Sequence, residues 1–182
     1  MNSKVFEESG LTFDFSASEN PYKADSKEFL YNGLSAVDFI VEMPESYFLI
    51  EVKNLENPKI PSEFRTQQKD EFLLKLRSNT DKSERSVFQG NILRKLKDTL
   101  LRMLAFGERL SKPVIYILLL EYGDLGFNQR RLLFEQINSN IPKFSESEYT
   151  SIHSVKFGLC DKTEYEARYG LSFRGESTHR LK

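Results

Sequence analysis

The amino-acid sequence predicts an α/β fold in which a mixed central β-sheet is flanked by helices. Residues 35–54 read as a hairpin of two strands. An amphipathic helix is indicated over Val87–Leu110, and the apolar run Val114–Leu120 follows it. An apolar run without alternation is typical of a strand that is buried on both faces and lies parallel to a neighbour reached through a helix. The order hairpin, helix, buried strand therefore indicates a mixed sheet.

Length and composition are those of a soluble single domain. The 182 residues suffice for one sizeable core, and the chain shows neither an apolar leader nor an apolar run of membrane-spanning length. One cysteine, Cys160, excludes an intramolecular disulfide and suits a reducing cytoplasm, where we expect the protein to be. A net charge of -1 gives no overall basic signature for nucleic-acid binding. His153 and His179 lack the spacing of metal ligands.

The first predicted strand is Leu11–Ser16, in which apolar and polar side chains alternate. Ser18–Pro21 reads as a turn. The stretch that follows, 23–32, fits either a short helix or an irregular crossing before Gly33. The amino-terminal part of the chain therefore contributes one predicted strand to the sheet.

The hairpin consists of Val37–Val41 and Tyr47–Lys53, which a short turn containing proline separates. Side chains alternate across a strand, so Glu51 and Lys53 lie on one face. Pairing across so short a turn brings the carboxylate of Asp38 near that of Glu51. We therefore expect two carboxylates and one amine to converge at this end of the hairpin.

A helical insertion is predicted at about 55–86. Pro58 and Pro61 interrupt any regular structure after Lys53, and Ser62 is a candidate N-cap for a helix. Residues 77–86, RSNTDKSERS, read as an exposed polar segment. The insertion is either a surface decoration or a cover for a groove beside the hairpin.

The strongest helix prediction is Val87–Leu110, because leucines recur there at three- and four-residue spacing. They form an apolar stripe suited to packing on a sheet: Leu93, Leu96, Leu100, Leu101 and Leu104. The segment is also locally basic, which fits either a solvated helix face or a surface that meets phosphates. The basic residues are Arg85, Arg94, Lys95, Lys97, Arg102, Arg109 and Lys112.

The remaining elements complete the sheet and its helical cover. After the buried strand, Phe127–Asn138 is predicted to be a helix, and Ser151–Leu159 alternates like a strand near the sheet edge. Thr163–Tyr169 is predicted to be a short helix, and the polar tail 172–182 to be frayed. In the first of these helices, the side chains expected to face the core are Leu132, Leu133 and Ile137.

The acids and the lysine of the hairpin have a chemical use. Mg²⁺ prefers hard oxygen ligands and is typically held by one or two carboxylates together with substrate phosphates. Asp38 and Glu51 supply such ligands, and Lys53 beside them can orient or deprotonate an attacking water. The pattern Val37-Asp38 followed by Glu51-Val52-Lys53 resembles the PD-(D/E)xK nuclease superfamily. Val37 departs from that pattern, because it stands where the family name has proline.

The resemblance implies a restriction-endonuclease-like fold over a single domain, 1–182. It also implies a nuclease that hydrolyses phosphodiester bonds of DNA or RNA, with DNA as the favoured partner. Mg²⁺, or Mn²⁺ as a substitute, would be held by Asp38, Glu51 and the backbone carbonyl of Val52. Such proteins often add an acid from a preceding helix, for which Glu7, Glu8 and Glu28 are candidates, and polar residues from the helix after the lysine, for which Gln89 and Arg94 are candidates.

Two alternatives stay open from the sequence. The pair Glu51 and Lys53 fits an ordinary amphipathic strand with a solvated outer face. A nuclease-like scaffold without catalysis, binding nucleic acid or protein, fits the near-neutral charge and the missing third acid. The aromatic content of 13% and the predicted edge strand permit a homodimer or a partner protein without requiring one.

Overall fold

The three-dimensional structure is a computed structural model, and it describes residues 4–26, 33–77, 82–107, 110–144, 152–169 and 172–173. Eight strands and four helices lie in these ranges. The strands are β1 Val5–Glu8, β2 Leu11–Asp14, β3 Pro21–Lys23, β4 Phe39–Met43, β5 Ser46–Asn54, β6 Val114–Glu121, β7 Val155–Cys160 and β8 Ser172–Phe173. The helices are α1 Ser62–Arg77, α2 Lys82–Ala105, α3 Phe127–Asn138 and α4 Lys162–Tyr169.

The main sheet has five strands in the order β3-β4-β5-β6-β7. Strands β3, β4 and β5 pair antiparallel, whereas β5, β6 and β7 pair parallel. The prediction of an α/β fold with a mixed sheet is confirmed. Strand β6 is central and almost wholly buried, because its residues are apolar on both faces and each face is covered. Strand β7 lies at the edge, as its alternation indicates.

A smaller sheet in the order β1-β2-β8 covers one face of the main sheet. Strand β2 matches the predicted first strand, but β1, β3 and β8 were not predicted. Ser9 and Gly10 both have positive φ in the turn between β1 and β2, which permits the tight hairpin. The prediction of fraying from residue 172 is wrong for Ser172–Phe173, which pair with β2.

Each face of the main sheet buries its own apolar cluster. On one face, side chains of β5 and β6 pack against α1, α2 and α3, with Leu49, Leu118 and Leu96 in the core. On the opposite face, Ile50 and Ile117 pack against the small sheet and α4. Glu51 follows the alternation of Leu49, so it points to the face that α2 covers.

The helices follow the predicted order with shifted ends and facing. Helix α2 begins at Lys82 and ends at Ala105, so the helix predicted over Val87–Leu110 is present but both of its ends lie five residues earlier in the chain. Leu101 is exposed on α2 and Leu132 on α3, which corrects their predicted inward facing. Leu133 and Ile137 are buried as predicted. Helix α1 confirms the helix predicted after Pro61, but Ser62 is its first residue rather than its N-cap, because the N–H of Arg65 donates to the carbonyl of Pro61.

Within the part of the chain that the structure describes, no helix is both long enough and apolar enough to cross a membrane.

Candidate active site

Asp38 lies directly before β4, where the chain enters the sheet. The β4–β5 register pairs Phe39 with Ile50, and its continuation places Asp38 opposite Glu51. The carboxylate oxygen Oδ2 of Asp38 accepts the backbone N–H of Val52 at 2.6 Å. The backbone of Asp38 is held as well, since its carbonyl accepts the N–H of Ala24 at 2.9 Å. Asp38 is therefore buried and fixed against β5.

Glu51 is fully buried, with 0% of its surface exposed, and two lysines neutralise it. The Nζ of Lys53 lies 2.7 Å from Oε1 of Glu51. Lys53 itself is 39% exposed, so its amine reaches from the buried acid to the protein surface. The interpretation of Glu51 and Lys53 as a solvated surface pair is wrong for Glu51. The structure thus brings Asp38, Glu51 and Lys53 together.

The second lysine is Lys95 of α2, which sequence analysis did not place in the site. Its Nζ lies 2.8 Å from both carboxylate oxygens of Glu51 and 3.5 Å from Oδ1 of Asp38. The Lys95 side chain is 24% exposed. The ammonium group therefore bridges the two acids on the face of the sheet that α2 covers.

Burial and the neighbouring charges shift the pKa values of Asp38 and Lys95. Burial first, and then the charge of Glu51, raise the pKa of Asp38 to about 7, while Lys95 opposes the rise. Burial alone would lower the pKa of Lys95, but the charges of Glu51 and Asp38 outweigh burial and raise it. A buried carboxyl with a raised pKa beside a charged partner is typical of functional sites, and also of structural ion-pair networks.

Helix α2 is attached to the sheet on both sides of Lys95. The Tyr116 hydroxyl of β6 donates to the backbone carbonyl of Ile92, three residues before Lys95, at 2.9 Å. Four residues after Lys95, Oγ1 of Thr99 accepts the N–H of Val37 at 3.1 Å. These contacts fix the rotation of α2, so they position Lys95 over the acids. The Thr99 contact also fixes the residue before Asp38.

Removing the Thr99 hydroxyl is expected to destabilise the protein. Thr99→Val keeps the side-chain shape but leaves the buried N–H of Val37 without its acceptor, which costs about 1–3 kcal/mol. The measurement is the free energy of unfolding from denaturant titration. Thr66→Val is the matched control, because the Thr66 hydroxyl is exposed and bonds only the carbonyl of Ser62 in its own helix. Equal losses for the two variants would contradict the positioning role of Thr99.

Further acids border the cluster, but neither Glu7 nor Glu8, the two predicted third acids that the structure describes, joins it. Glu8 forms an ion pair with Lys23 at 2.7 Å, and Glu7 pairs with Lys59 on the surface. Glu28 lies outside the described residues. Asp25 follows β3, and burial raises its pKa while Lys23 and Lys95 lower it. Among the described residues, no group of three or more His, Cys, Asp or Glu side chains is placed to hold a metal ion.

The donor set nevertheless fits a divalent cation of the Mg²⁺ type. Such an ion needs only one or two protein carboxylates when waters and substrate phosphates complete its shell. Asp38 and Glu51 already direct oxygens at one cationic atom, the Nζ of Lys95. The N–H of Val52 points to Asp38, and its carbonyl shares that side of the strand, because both groups of a residue point the same way in a sheet. The predicted ligands therefore lie on one side of β5.

On α2, the structure brings Lys95 to the acids, a residue that was not among the predicted site residues. Arg94 is exposed, and the side chain of Gln89 is outside the described part of the chain. The sequence signal for Lys95 is its position three residues after Ile92 and four before Thr99, both of which are buried. A lysine beside a buried stripe of a helix is partly buried itself, so its ammonium group needs an anionic partner.

Fold and site together define an α/β protein with a buried acidic pair that two lysines neutralise. Comparisons with known proteins add no relative: no protein-family model matches the chain, and no curated protein or solved structure matches it significantly.

Proposed function

We propose that the protein is a metal-dependent nuclease with a restriction-endonuclease-like fold, acting on phosphodiester bonds of DNA or RNA. The observation that carries the proposal is the convergence of Asp38, Glu51 and Lys53 at the open end of the β4–β5 hairpin, away from its turn. Two buried acids at the end of paired strands, beside an amine that reaches the surface, match the requirements of phosphodiester hydrolysis.

Asp38 and Glu51 would hold Mg²⁺, with the Val52 carbonyl as a further ligand. When bound there, the ion would supply Lewis-acid stabilisation of charge on the phosphoryl oxygens. The hydrogen bond from Val52 N–H fixes one oxygen of Asp38, so this acid needs little reorganisation to bind a cation. Mn²⁺ is expected to substitute, because it accepts the same oxygen ligands.

Lys53 would act on the water and the phosphate. Its Nζ contacts Glu51, and its side chain is 39% exposed, so a nucleic-acid backbone can approach this residue. From this position the ammonium can orient an attacking water by hydrogen bonding and stabilise negative charge on the phosphoryl group. Hydrolysis would leave a phosphate monoester on one product and a hydroxyl on the other.

Asp38→Asn is expected to lower cleavage by at least about 100-fold, because even the loss of residues that only support metal ligands costs about 10- to 100-fold. Asparagine preserves the shape and can still accept the Val52 N–H, so the fold should persist. The measurement is cleavage of single- and double-stranded DNA and RNA with Mg²⁺, Mn²⁺ or EDTA. Asp124→Asn is the matched control, since Asp124 is 73% exposed and pairs only with Lys69 among the ion pairs found.

A second candidate function is a nuclease-like scaffold that binds nucleic acid or protein without catalysis. The bridging ammonium of Lys95 favours it, because this group contacts both acids and, together with Lys53, balances their charge without any metal. The scaffold predicts that no substrate is cut with any metal and that Asp38→Asn leaves binding unchanged. Metal-dependent cleavage that Asp38→Asn abolishes would exclude it.

A further inference from the structure

The position of Lys95 affects how the proposed metal site can balance the charge of a divalent cation. Two carboxylates, Asp38 and Glu51, face two ammonium groups, Lys53 and Lys95, so the cluster is formally neutral as it stands. A divalent cation added to this set would bring two uncompensated positive charges into a buried place, which is strongly unfavourable. Departure of one ammonium group halves this excess, and a substrate phosphate can offset the remaining charge.

Geometry identifies Lys95 as the cation that leaves. Its Nζ contacts oxygens of both acids, which is where a shared metal ion would have to lie. The Nζ of Lys53 lies 2.7 Å from Oε1 of Glu51, and its side chain is more exposed than that of Lys95, 39% against 24%. A metal ion and the Lys95 ammonium therefore compete for the same oxygens, whereas Lys53 can remain beside the ion.

The surroundings of Lys95 allow the ammonium to move. Lysine carries its charge on a flexible four-carbon stem, and this side chain is partly exposed rather than enclosed. Asp98 lies three residues further along α2, so the two side chains are neighbours on the helix surface. Asp98 is half-buried and held in place by the backbone N–H of Ser35, which its Oδ2 accepts at 2.8 Å, and it offers a second anionic partner to the ammonium. Movement of the side chain needs no movement of α2, which Tyr116 and Thr99 hold in place.

We propose that Lys95 is a displaceable internal cation, which occupies the cation position in the metal-free protein and is expelled to the surface when a divalent metal binds. Lys95 thereby sets the metal concentration at which the site fills. The inference rests on the proposed metal site but not on catalysis, because it concerns which cation the two acids hold.

The first test uses the unmodified chain. The protein is acylated with a small amine-reactive reagent, once without Mn²⁺ and once at the Mn²⁺ concentration that calorimetry shows to be saturating. The extent of labelling of each lysine is then measured by mass spectrometry. Saturation is expected to raise labelling of Lys95 severalfold. Lys97, exposed on the same helix, is the internal control and should not change. Unchanged or reduced labelling of Lys95 in the saturated protein would overturn the proposal.

The second test measures Mn²⁺ affinity by calorimetry in variants. Lys95→Met removes the competing charge and is expected to lower the Mn²⁺ dissociation constant about tenfold. This factor corresponds to a parent protein in which Lys95 leaves the two acids free in about a tenth of the molecules, and to a variant in which the acids are free in all molecules. Lys97→Met is the matched control and should bind Mn²⁺ like the parent. Equal affinities for the two variants, or no Mn²⁺ binding by parent and Lys95→Met alike, would overturn the inference.

The outcomes separate this inference from the proposed function. Labelling of Lys95 that rises with Mn²⁺, in a protein that cuts no nucleic acid, would support the displacement and count against the nuclease. Metal-dependent cleavage with Lys95 labelling that stays constant would support the nuclease and overturn the displacement.

Discussion

Lys53→Met is expected to reduce metal-dependent cleavage by about 10²- to 10⁴-fold, the usual contribution of a positioned group that acts on the attacking water. The fold should persist, because Lys95 still neutralises Glu51 when Lys53 is gone. Because Glu51 is fully buried while Lys53 is partly exposed to water, we expect the free energy of unfolding to fall by about 1–3 kcal/mol, less than for the loss of a partner from a wholly buried pair. Initial rates of cleavage at saturating Mg²⁺ and denaturant titrations measure the two effects.

The control for this variant is Lys59→Met. Lys59 is an exposed lysine that pairs with Glu7 on the surface, so the same substitution there removes a charge away from the acids. Its cleavage rate should equal that of the parent. If Lys53→Met cleaved as fast as Lys59→Met, the catalytic role of Lys53 would be refuted, and a Lys53→Met protein that unfolds would show that the lysine is structural.

Phe39→Ala is expected to lower the free energy of unfolding by about 3–5 kcal/mol, the range for emptying a buried aromatic position. Phe39 follows Asp38, is 0% exposed and lies against three other rings. Its ring centroid is 4.9 Å from that of Phe13, 5.4 Å from that of Phe15 and 5.8 Å from that of Phe6. The ring therefore joins the small sheet to the main sheet beside the acids.

The matched control for this change is Phe127→Ala, since Phe127 is 79% exposed at the start of α3. Truncation of a surface side chain usually changes stability by no more than about 0.5 kcal/mol. Thermal or denaturant unfolding of the two variants gives the comparison. Similar losses in both variants would mean that the small sheet does not depend on the aromatic cluster.

Local patterns were enough to predict the elements that form the middle of the fold. The period-two alternation in β5 assigned Glu51 and Lys53 to one face, and the apolar run of β6 indicated a buried parallel strand. Both features are properties of the segment itself, because alternation and continuous apolarity follow directly from one or two buried faces. Strand β3 escaped prediction because three residues carry little periodic signal, and β1 did so because its sequence, VFEE, does not alternate apolar and polar side chains.

The facing of α2 could not be read from its leucines. The leucine stripe suggested a face that includes Leu101, whereas the helix buries Ile92, Leu96, Thr99 and Met103 and exposes Leu101. This rotation depends on contacts with distant segments, the Tyr116 hydroxyl and the Val37 N–H, which no local pattern contains. For that reason the sequence assigned Lys95 to a general basic surface rather than to the acids.

By itself, the sequence determined the strand hairpin that carries Asp38, Glu51 and Lys53. It also determined the long helix after the hairpin and the mixed character of the sheet, because hydrophobic periodicity is a local property. Only the tertiary structure decided that Glu51 is fully buried and that Lys95 bridges it to Asp38. The bridge arises from side chains 44 and 57 residues apart along the chain, and a charge buried by folding must find its partner among whatever residues the fold brings near.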